Sequence, residues 1–212
     1  MSRLGRDGAN VEARARILER IRSANEGREA APHPGDFGGW RAPGSPADDG
    51  ALVGFTTMFE ATGGEVINAP DLAAARSWLA DFVESSAVET VAVGRGVPDE
   101  VVPSLDRVDA SGADLAVSSA RGGIAETGSL VLDARDGRRT QLLAATHVVL
   151  LDVGDIHGSA REAFRDLSSD LPAAIGLHSG PSKSADIGQI MVKGVHGPGR
   201  LIAVVIGSTS AR

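Results

Sequence analysis

Continuous apolar runs that alternate with amphipathic helices constrain the fold of this chain most strongly. Residues 148–151 read Val-Val-Leu-Leu and residues 201–206 read Leu-Ile-Ala-Val-Val-Ile. A strand that is apolar on both sides must be covered on both sides, which is typical of parallel strands connected by helices. We therefore predict an α/β fold, with a mostly parallel mixed sheet flanked by helices.

Periodicity and turn signals place the predicted elements along the chain. The predicted helices cover residues 10–26, 51–61, 71–84, 98–104 and 155–167. The predicted strands cover residues 65–68, 88–93, 115–118, 128–132, 147–152, 174–178 and 201–206. Asp71 and Asp155 are the expected N-caps of two helices. Asp136-Gly137 predicts a hairpin turn between residues 128–133 and 140–144, which would add a mixed edge to the sheet.

The segment before the first predicted strand divides the chain. Residues 27–50 are rich in Gly, Pro and Ala and have no periodicity, which is typical of a linker or a long loop. We therefore predict an N-terminal helix with a flexible linker over residues 1–50, and an α/β domain over residues 51–212.

Composition argues against several classes of function. The net charge is −7 and there is no basic cluster, which argues against nucleic acid and against an anionic membrane as partners. No apolar stretch approaches the length of a membrane span, and no apolar leader follows the N-terminal arginines, so we expect a cytoplasmic protein.

The absence of cysteine limits the redox and metal chemistry of the chain. It excludes disulfides, a thiol nucleophile and thiolate ligands for an iron–sulfur cluster. The five histidines have no spacing that is typical of metal ligands, so we expect no metal site and no cofactor bound by this chain.

Three glycine-rich turns adjoin the apolar runs and are the strongest indication of function. They cover residues 123–129 (Gly-Ile-Ala-Glu-Thr-Gly-Ser), 179–187 (Ser-Gly-Pro-Ser-Lys-Ser-Ala-Asp-Ile) and 194–199 (Gly-Val-His-Gly-Pro-Gly). Such turns present backbone N–H groups, hydroxyls and charges at the mouth of a sheet, where α/β proteins usually bind ligands. Neither a P-loop nor a dinucleotide fingerprint is present.

The turns contain the candidate site residues. Glu126 could act as a base or nucleophile, and His196 could titrate or donate to an anion, so these two are the candidate catalytic residues. Lys183 could hold a phosphate or a carboxylate. The full set of candidate ligand-binding residues is Thr127, Gly128, Ser129, Gly180, Ser182, Lys183, Ser184, Asp186 and Gly197. The alternative is structural, with polar turns that satisfy nearby backbone groups.

Three further residues are weaker candidates. His178 ends a predicted strand beside the second turn and could converge on the same cleft. Arg95 lies in a Gly-Arg-Gly turn, and Arg121 directly precedes two glycines, so either arginine could contact an anion.

Taken in order, the three turns resemble the LUD-domain family, specifically its lactate-utilisation protein C type. The matching segments read Ile-Ala-Glu-Thr-Gly-Ser-Leu-Val-Leu, Gly-Pro-Ser-Lys-Ser-Ala-Asp-Ile and Gly-Val-His-Gly-Pro-Gly-Arg-Leu, and the resemblance covers residues 50–207. The chain departs from the family at Gly188, where members often have an acidic residue, and over residues 107–121.

The resemblance implies a fold shared with ribose-5-phosphate isomerase, glucosamine-phosphate deaminase and CoA transferases. It also implies a role in oxidising L-lactate to pyruvate together with iron–sulfur partner proteins, which would carry the clusters. The first hypothesis is therefore an accessory, non-redox subunit with a cleft for a small anionic ligand. The alternatives are an enzyme acting alone on a sugar phosphate or a CoA ester, and a ligand-sensing scaffold. Whether the chain is itself an enzyme stays open.

Overall fold

A computed structural model describes residues 3–27, 50–185 and 191–207 of the chain. The chain forms two compact units, residues 1–40 and residues 41–212. Helix α1 (Arg3–Asn25) belongs to the first unit and contains most of the helix predicted over residues 10–26. Most of the predicted linker lies outside the described residues, so the boundary at residue 50 stays a prediction.

The second unit contains four helices and twelve strands among the described residues. The helices are α2 (Ala51–Ala61), α3 (Leu72–Ser85), α4 (Arg138–Leu143) and α5 (Ala160–Leu167). The strands are β1 (Glu65–Ala69), β2 (Thr90–Val93), β3 (Asp106–Arg107), β4 (Leu115–Ser119), β5 (Gly122–Ile124), β6 (Ser129–Asp133), β7 (Thr146–Asp152), β8 (Ile156–His157), β9 (Ile175–His178), β10 (Lys183–Ala185), β11 (Met191–Lys193) and β12 (Arg200–Ile206).

Six parallel strands form the central sheet, in the order β1-β12-β7-β4-β2-β3. The two long apolar runs of the sequence are the neighbouring strands β7 and β12, in which Val148 lies opposite Ile202. Both strands are almost completely buried because both faces of the sheet are covered. The predicted α/β fold with a mostly parallel sheet flanked by helices is confirmed.

The two faces of the central sheet have different covers. Helix α3 packs on one face through Ala75, Leu79 and Phe82, and its N-cap Asp71 accepts a hydrogen bond from the Ala74 amide as predicted. Helix α2 and a second sheet cover the other face, where Phe55 and Phe59 of α2 form one core with Leu130 and Leu132.

The second sheet has the strand order β8-β5-β6-β9 and is mixed. Strand β6 is antiparallel to both β5 and β9, whereas β5 and β8 are parallel. Helix α5 packs on its outer face against Ile124 and Val131. This sheet, rather than a mixed edge of the central sheet, accounts for the antiparallel signal in the sequence.

The predicted hairpin at Asp136-Gly137 is wrong. Gly137 has a φ of +110° and the chain then enters helix α4 instead of a strand. The buried Gln141 stabilises this helix by donating from Nε2 to the carbonyl of Asp133 at 2.8 Å. A short apolar run such as residues 142–144 does not distinguish a strand from a helix by periodicity, which explains the error.

Two helix predictions also need correction. Residues 98–104 form turns, consistent with Pro103, which has no N–H to donate inside a helix. Helix α5 begins after Ser159 rather than at Asp155. Ser159 accepts from the Glu162 amide while the Glu162 carboxylate accepts from the Ser159 amide, and this capping box fixes the start of the helix.

Candidate functional site

Three hydroxyls connect the first glycine-rich turn with the second. The Oγ atom of Ser129 lies 2.7 Å from Thr127 Oγ1 and 2.6 Å from Ser179 Oγ. We call Thr127, Ser129 and Ser179 the hydroxyl chain. Ser129 is only 3% exposed, whereas Thr127 is exposed at one end of the chain. The fold thus brings residues 50 positions apart into one polar cluster.

The glycines of these two turns permit close packing. Gly128 has a φ of +57°, and a Cβ added there would lie 2.3 Å from the amide nitrogen of Phe59 in α2. Gly180 has a φ of +141°, and a Cβ there would lie 2.6 Å from Thr62 Oγ1. Both positions combine a backbone conformation that favours glycine with no room for a side chain. Their presence is therefore explained by packing alone.

Lys183 reaches the same region through Thr62. Its ammonium donates a hydrogen bond to the Thr62 carbonyl, and the Thr62 hydroxyl donates to the carbonyl of Ser179. The Lys183 side chain is exposed to solvent. Thr62 thus links the Lys183 ammonium to Ser179 of the hydroxyl chain, and the role of Lys183 in binding an anion stays a prediction.

The second and third turns are joined through their backbones. The Ser182 amide donates to the Pro198 carbonyl at 2.7 Å, and the Gly194 amide donates to the Ser182 carbonyl at 2.9 Å. Gly197 lies against the Ser182 side chain, where a Cβ would be 3.2 Å from its Cβ. Ser184 lies in the small ladder of β10 and β11, opposite Val192. Asp186 lies outside the described residues.

The three charged candidates have separate environments. Glu126 is half-buried, and its Oε1 atom accepts from the Ala160 amide at the start of α5 at 2.8 Å. This arrangement suits a carboxylate that stabilises a helix N-terminus. His196 is exposed in the third turn, and Lys183 lies beside Thr62. The roles predicted for Glu126 and His196 in catalysis therefore stay predictions.

The third turn lies at the amino ends of the central strands. The Gly199 amide donates to the carbonyl of Ala145, directly before Thr146 and Arg200 open β7 and β12. Gly63, which lies near Lys183, similarly precedes β1. Ligands of open α/β sheets usually bind at the opposite, carboxyl ends. The expectation that the turns lie at the usual mouth of the sheet is therefore wrong for this group.

The carboxyl end of the sheet holds a buried carboxylate that the sequence analysis used only as a turn signal. Asp136 is 8% exposed, and its Oδ1 atom accepts from the Gly96 amide at 2.6 Å. Its Oδ2 atom is buried without a hydrogen-bond partner, and a Cβ on Gly94 would lie 2.3 Å from it. The Gly-Arg-Gly turn at Arg95 therefore packs on a carboxylate, while Arg95 itself is exposed.

Arg121, the other weak candidate, takes part in an ion-pair cluster. Its guanidinium lies 3.2 Å from Asp170 and 3.5 Å from Asp133. Arg135 pairs with the same two carboxylates and holds the pKa of Asp170 down at about 2, with a smaller contribution from Arg121. These partners explain Arg121 without a ligand.

A histidine cluster lies between the two sheets and was missed by sequence reasoning as a group. We define it as Ser118, His147 and His178. His147 is fully buried, and its Nε2 atom lies 2.6 Å from Ser118 Oγ, while its Nδ1 atom has no hydrogen-bond partner. The ring of His178 meets the ring of His147 edge-on, with centroids 6.4 Å apart.

Burial controls the charge of both histidines. It lowers the pKa of His147 to about 3, with a further lowering from the neighbouring His178, and it also lowers the pKa of His178. Both rings are therefore neutral at neutral pH. The cluster could not be recognised in the sequence because His147 lies inside an apolar run and its partners are 29 and 31 positions away.

No helix described here is long and apolar enough to cross a membrane. Within the same described ranges, no three His, Asp or Glu side chains form a group that could hold a metal ion.

The part of the chain that contains these clusters matches a known domain family. Residues 104–206 match the model of the LUD domain. These residues contain the hydroxyl chain, the histidine cluster and all three glycine-rich turns.

Curated relatives align with this chain over about half of their own length. An uncharacterized protein of Neisseria meningitidis serogroup B is 31% identical over 62% of this chain and 55% of the relative. Lactate utilization protein C 1 of Bacillus mycoides is 32% identical over 46% of this chain and 45% of the relative. Lactate utilization protein C of Deinococcus radiodurans is 32% identical over 50% of this chain and 52% of the relative.

A solved structure shares the fold. The crystal structure of a DUF162 family protein from Deinococcus radiodurans superimposes with a TM-score of 0.60, covering 76% of this chain and all of the other. The two sequences are 20% identical, so this likeness supports the architecture alone.

Proposed function

Because the chain belongs to the LUD-domain family, we propose that it serves lactate utilisation in the cytoplasm, as a non-redox subunit working with iron–sulfur proteins. The observation that carries this proposal is the similarity to several proteins named lactate utilization protein C. The chain spans about half the length of those relatives, so the activity and the partners are part of the proposal.

The absence of cysteine determines which role this chain would have and which role its partners would have. Oxidation of lactate to pyruvate removes two electrons, and an electron carrier must accept them. The chain has no cysteine and cannot supply thiolates to a cluster. We therefore assign the electron transfer to the partners, and to this chain the binding of a small anion.

The glycine-rich turns support an anion site next to Lys183. The exposed ammonium supplies a positive charge, and the hydroxyl chain supplies donors within the same region. Ser182, Ser184 and Gly197 would border the ligand. Glu126, which lies at the start of α5, and His196, in the third turn, stay the candidate catalytic groups. This assignment rests on residue chemistry and on the contacts of Thr62 with Lys183 and Ser179.

Reconstitution tests the proposed role. The full chain is added to the purified iron–sulfur proteins proposed as its partners, and lactate-dependent reduction of an artificial electron acceptor is followed. We expect the rate to rise with the chain present and the rise to be lost in Lys183→Met. The exposed cation of α3 provides the control Arg76→Gln, which should behave as the unmodified chain.

Two results would count against the proposal. One is a rate that does not depend on the chain. The other is turnover of a sugar phosphate or an acyl-CoA by the chain alone, which would favour the alternative of an independent enzyme.

A further inference from the structure

A cavity of about 110 Å³ lies between helix α4 and strand β9. Arg138, Gln141 and Leu142 line it from α4, and Ile175, Gly176 and His178 line it from β9. A water molecule takes about 30 Å³ in the liquid, so the space corresponds to about four waters. It therefore suits a ligand of a few non-hydrogen atoms.

This cavity is separate from the glycine-rich turns. His178 lies opposite Leu130, which belongs to the core between the two sheets. Ser179, the next residue, contacts Ser129 instead. Because successive side chains of an extended chain point to opposite faces, His178 and the hydroxyl chain lie on different faces of the second sheet.

Arg138 is the charged group of the cavity. It is exposed, and among the described residues it makes no ion pair. The neighbouring arginines do have such partners, since Arg139 contacts Asp109 at 2.6 Å and Arg135 contacts Asp133 and Asp170. The cavity thus has one uncompensated positive charge.

The histidine cluster closes the side of the cavity at His178. Gly176 leaves room for this ring, because a Cβ on Gly176 would lie 2.7 Å from His178 Nε2. Behind His178 lies His147, with one buried nitrogen unpartnered and the other bonded to Ser118. The cluster is therefore a set of neutral rings that can accept a proton if a nearby charge compensates for it.

We propose that this cavity binds a small monocarboxylate, with the Arg138 guanidinium and the His178 imidazole holding the carboxylate. Arginine matches a carboxylate through two parallel N–H donors. Leu142 supplies apolar surface for a short carbon chain.

Binding should also take up a proton. The ionisable groups that face the cavity are Arg138 from α4 and His178 from β9, with His147 of β7 behind them. A bound carboxylate favours the imidazolium form of His178 and so raises its pKa from the lowered value of the empty site. Between these two pKa values, the affinity should fall by up to about tenfold for each unit rise in pH.

The test uses acetate as the probe and the ring signals of His178 in NMR spectra of the full chain, assigned with His178→Asn. We expect the chemical shifts of the His178 ring to move toward those of the imidazolium form as acetate is added, and to reach a plateau. Arg138→Gln should weaken binding by about tenfold or more, because a hydrogen bond to a charged group is worth about 1.5–3 kcal/mol. Arg139→Gln removes a neighbouring charge outside the cavity and should leave the affinity unchanged.

Several outcomes would overturn the proposal. They are the absence of saturation up to about 0.1 M acetate, an equal loss of affinity in Arg139→Gln, and equal binding of chloride or phosphate, since a general anion effect is indifferent to shape. Thermal melting verifies that each variant is folded. The experiment measures binding by the chain alone, so its result is independent of lactate oxidation by the reconstituted proteins.

Discussion

The two faces of the second sheet carry polar clusters of opposite character. On the outer face, the hydroxyl chain runs from the buried Ser129 to the exposed Thr127. On the inner face, His147 and Ser118 have no exposed surface, and one nitrogen of His147 lacks a partner. The outer cluster can exchange its hydrogen bonds with water, whereas the pair of His147 and Ser118 cannot.

This difference shows what each cluster costs the fold. A polar atom that is buried without a partner carries the full loss of its hydration, so the unpartnered Nδ1 atom of His147 lowers the stability of the fold. Hydroxyls near the surface carry no such penalty. We therefore expect pH and ligands to act on stability mainly through the inner face, and steric changes to dominate on the outer face.

The largest expected effect comes from the outer turn. Gly128→Ala forces a Cβ to within 2.3 Å of the Phe59 amide at a φ of +57°. Overpacking together with the left-handed conformation should lower the free energy of unfolding by about 3–5 kcal/mol, measured by urea denaturation. Gly112→Ala is the control, because a Cβ there meets nothing within 4 Å. Unchanged stability in Gly128→Ala would show that the turn can move away from Phe59 and that close packing does not require glycine there.

The inner face should respond to acid. His147 has a pKa of about 3 in the folded protein and about 6.5 when unfolded, so only the unfolded chain binds its proton between these values. The contribution of His147 to stability is complete above pH 6.5 and falls by about 1.4 kcal/mol per pH unit below it. Denaturation of the unmodified chain and of His147→Gln from pH 7 to pH 4.5 measures this slope as a difference. Parallel curves for the two proteins would contradict the burial of His147 as a neutral ring.

The partner of His147 gives a smaller effect that does not depend on pH. Ser118→Ala removes the hydroxyl 2.6 Å from His147 Nε2 and leaves both ring nitrogens unpartnered in a site closed to water. The free energy of unfolding should fall by about 1–3 kcal/mol, and the acid slope should remain because the histidine is still present. Loss of the slope in Ser118→Ala would mean that the serine, not burial, keeps the ring neutral.

The same contrast explains which features of the structure could be predicted from the sequence. Parallel strands β7 and β12 follow from long apolar runs, and the Asp71 cap follows from a local rule, so both could be predicted. The outer turns are also contiguous motifs. The inner cluster joins β4, β7 and β9 through contacts between distant residues, and no local pattern marks them. Asp136 illustrates the limit, because its residue type indicated a turn while its burial against Gly96 depends on the whole fold.

The smallest expected effect concerns the hydroxyl chain itself. Ser129→Ala removes the central hydroxyl and leaves Thr127 and Ser179 without their shared partner. Neither of these two is fully buried, so water can replace the lost bonds, and the free energy of unfolding should fall by only about 1 kcal/mol. Thr57→Val, which removes an exposed hydroxyl of α2, is the control and should change stability by less. A loss in Ser129→Ala as large as that in Ser118→Ala would show that the outer cluster is closed to water, and the contrast between the two faces would then fail.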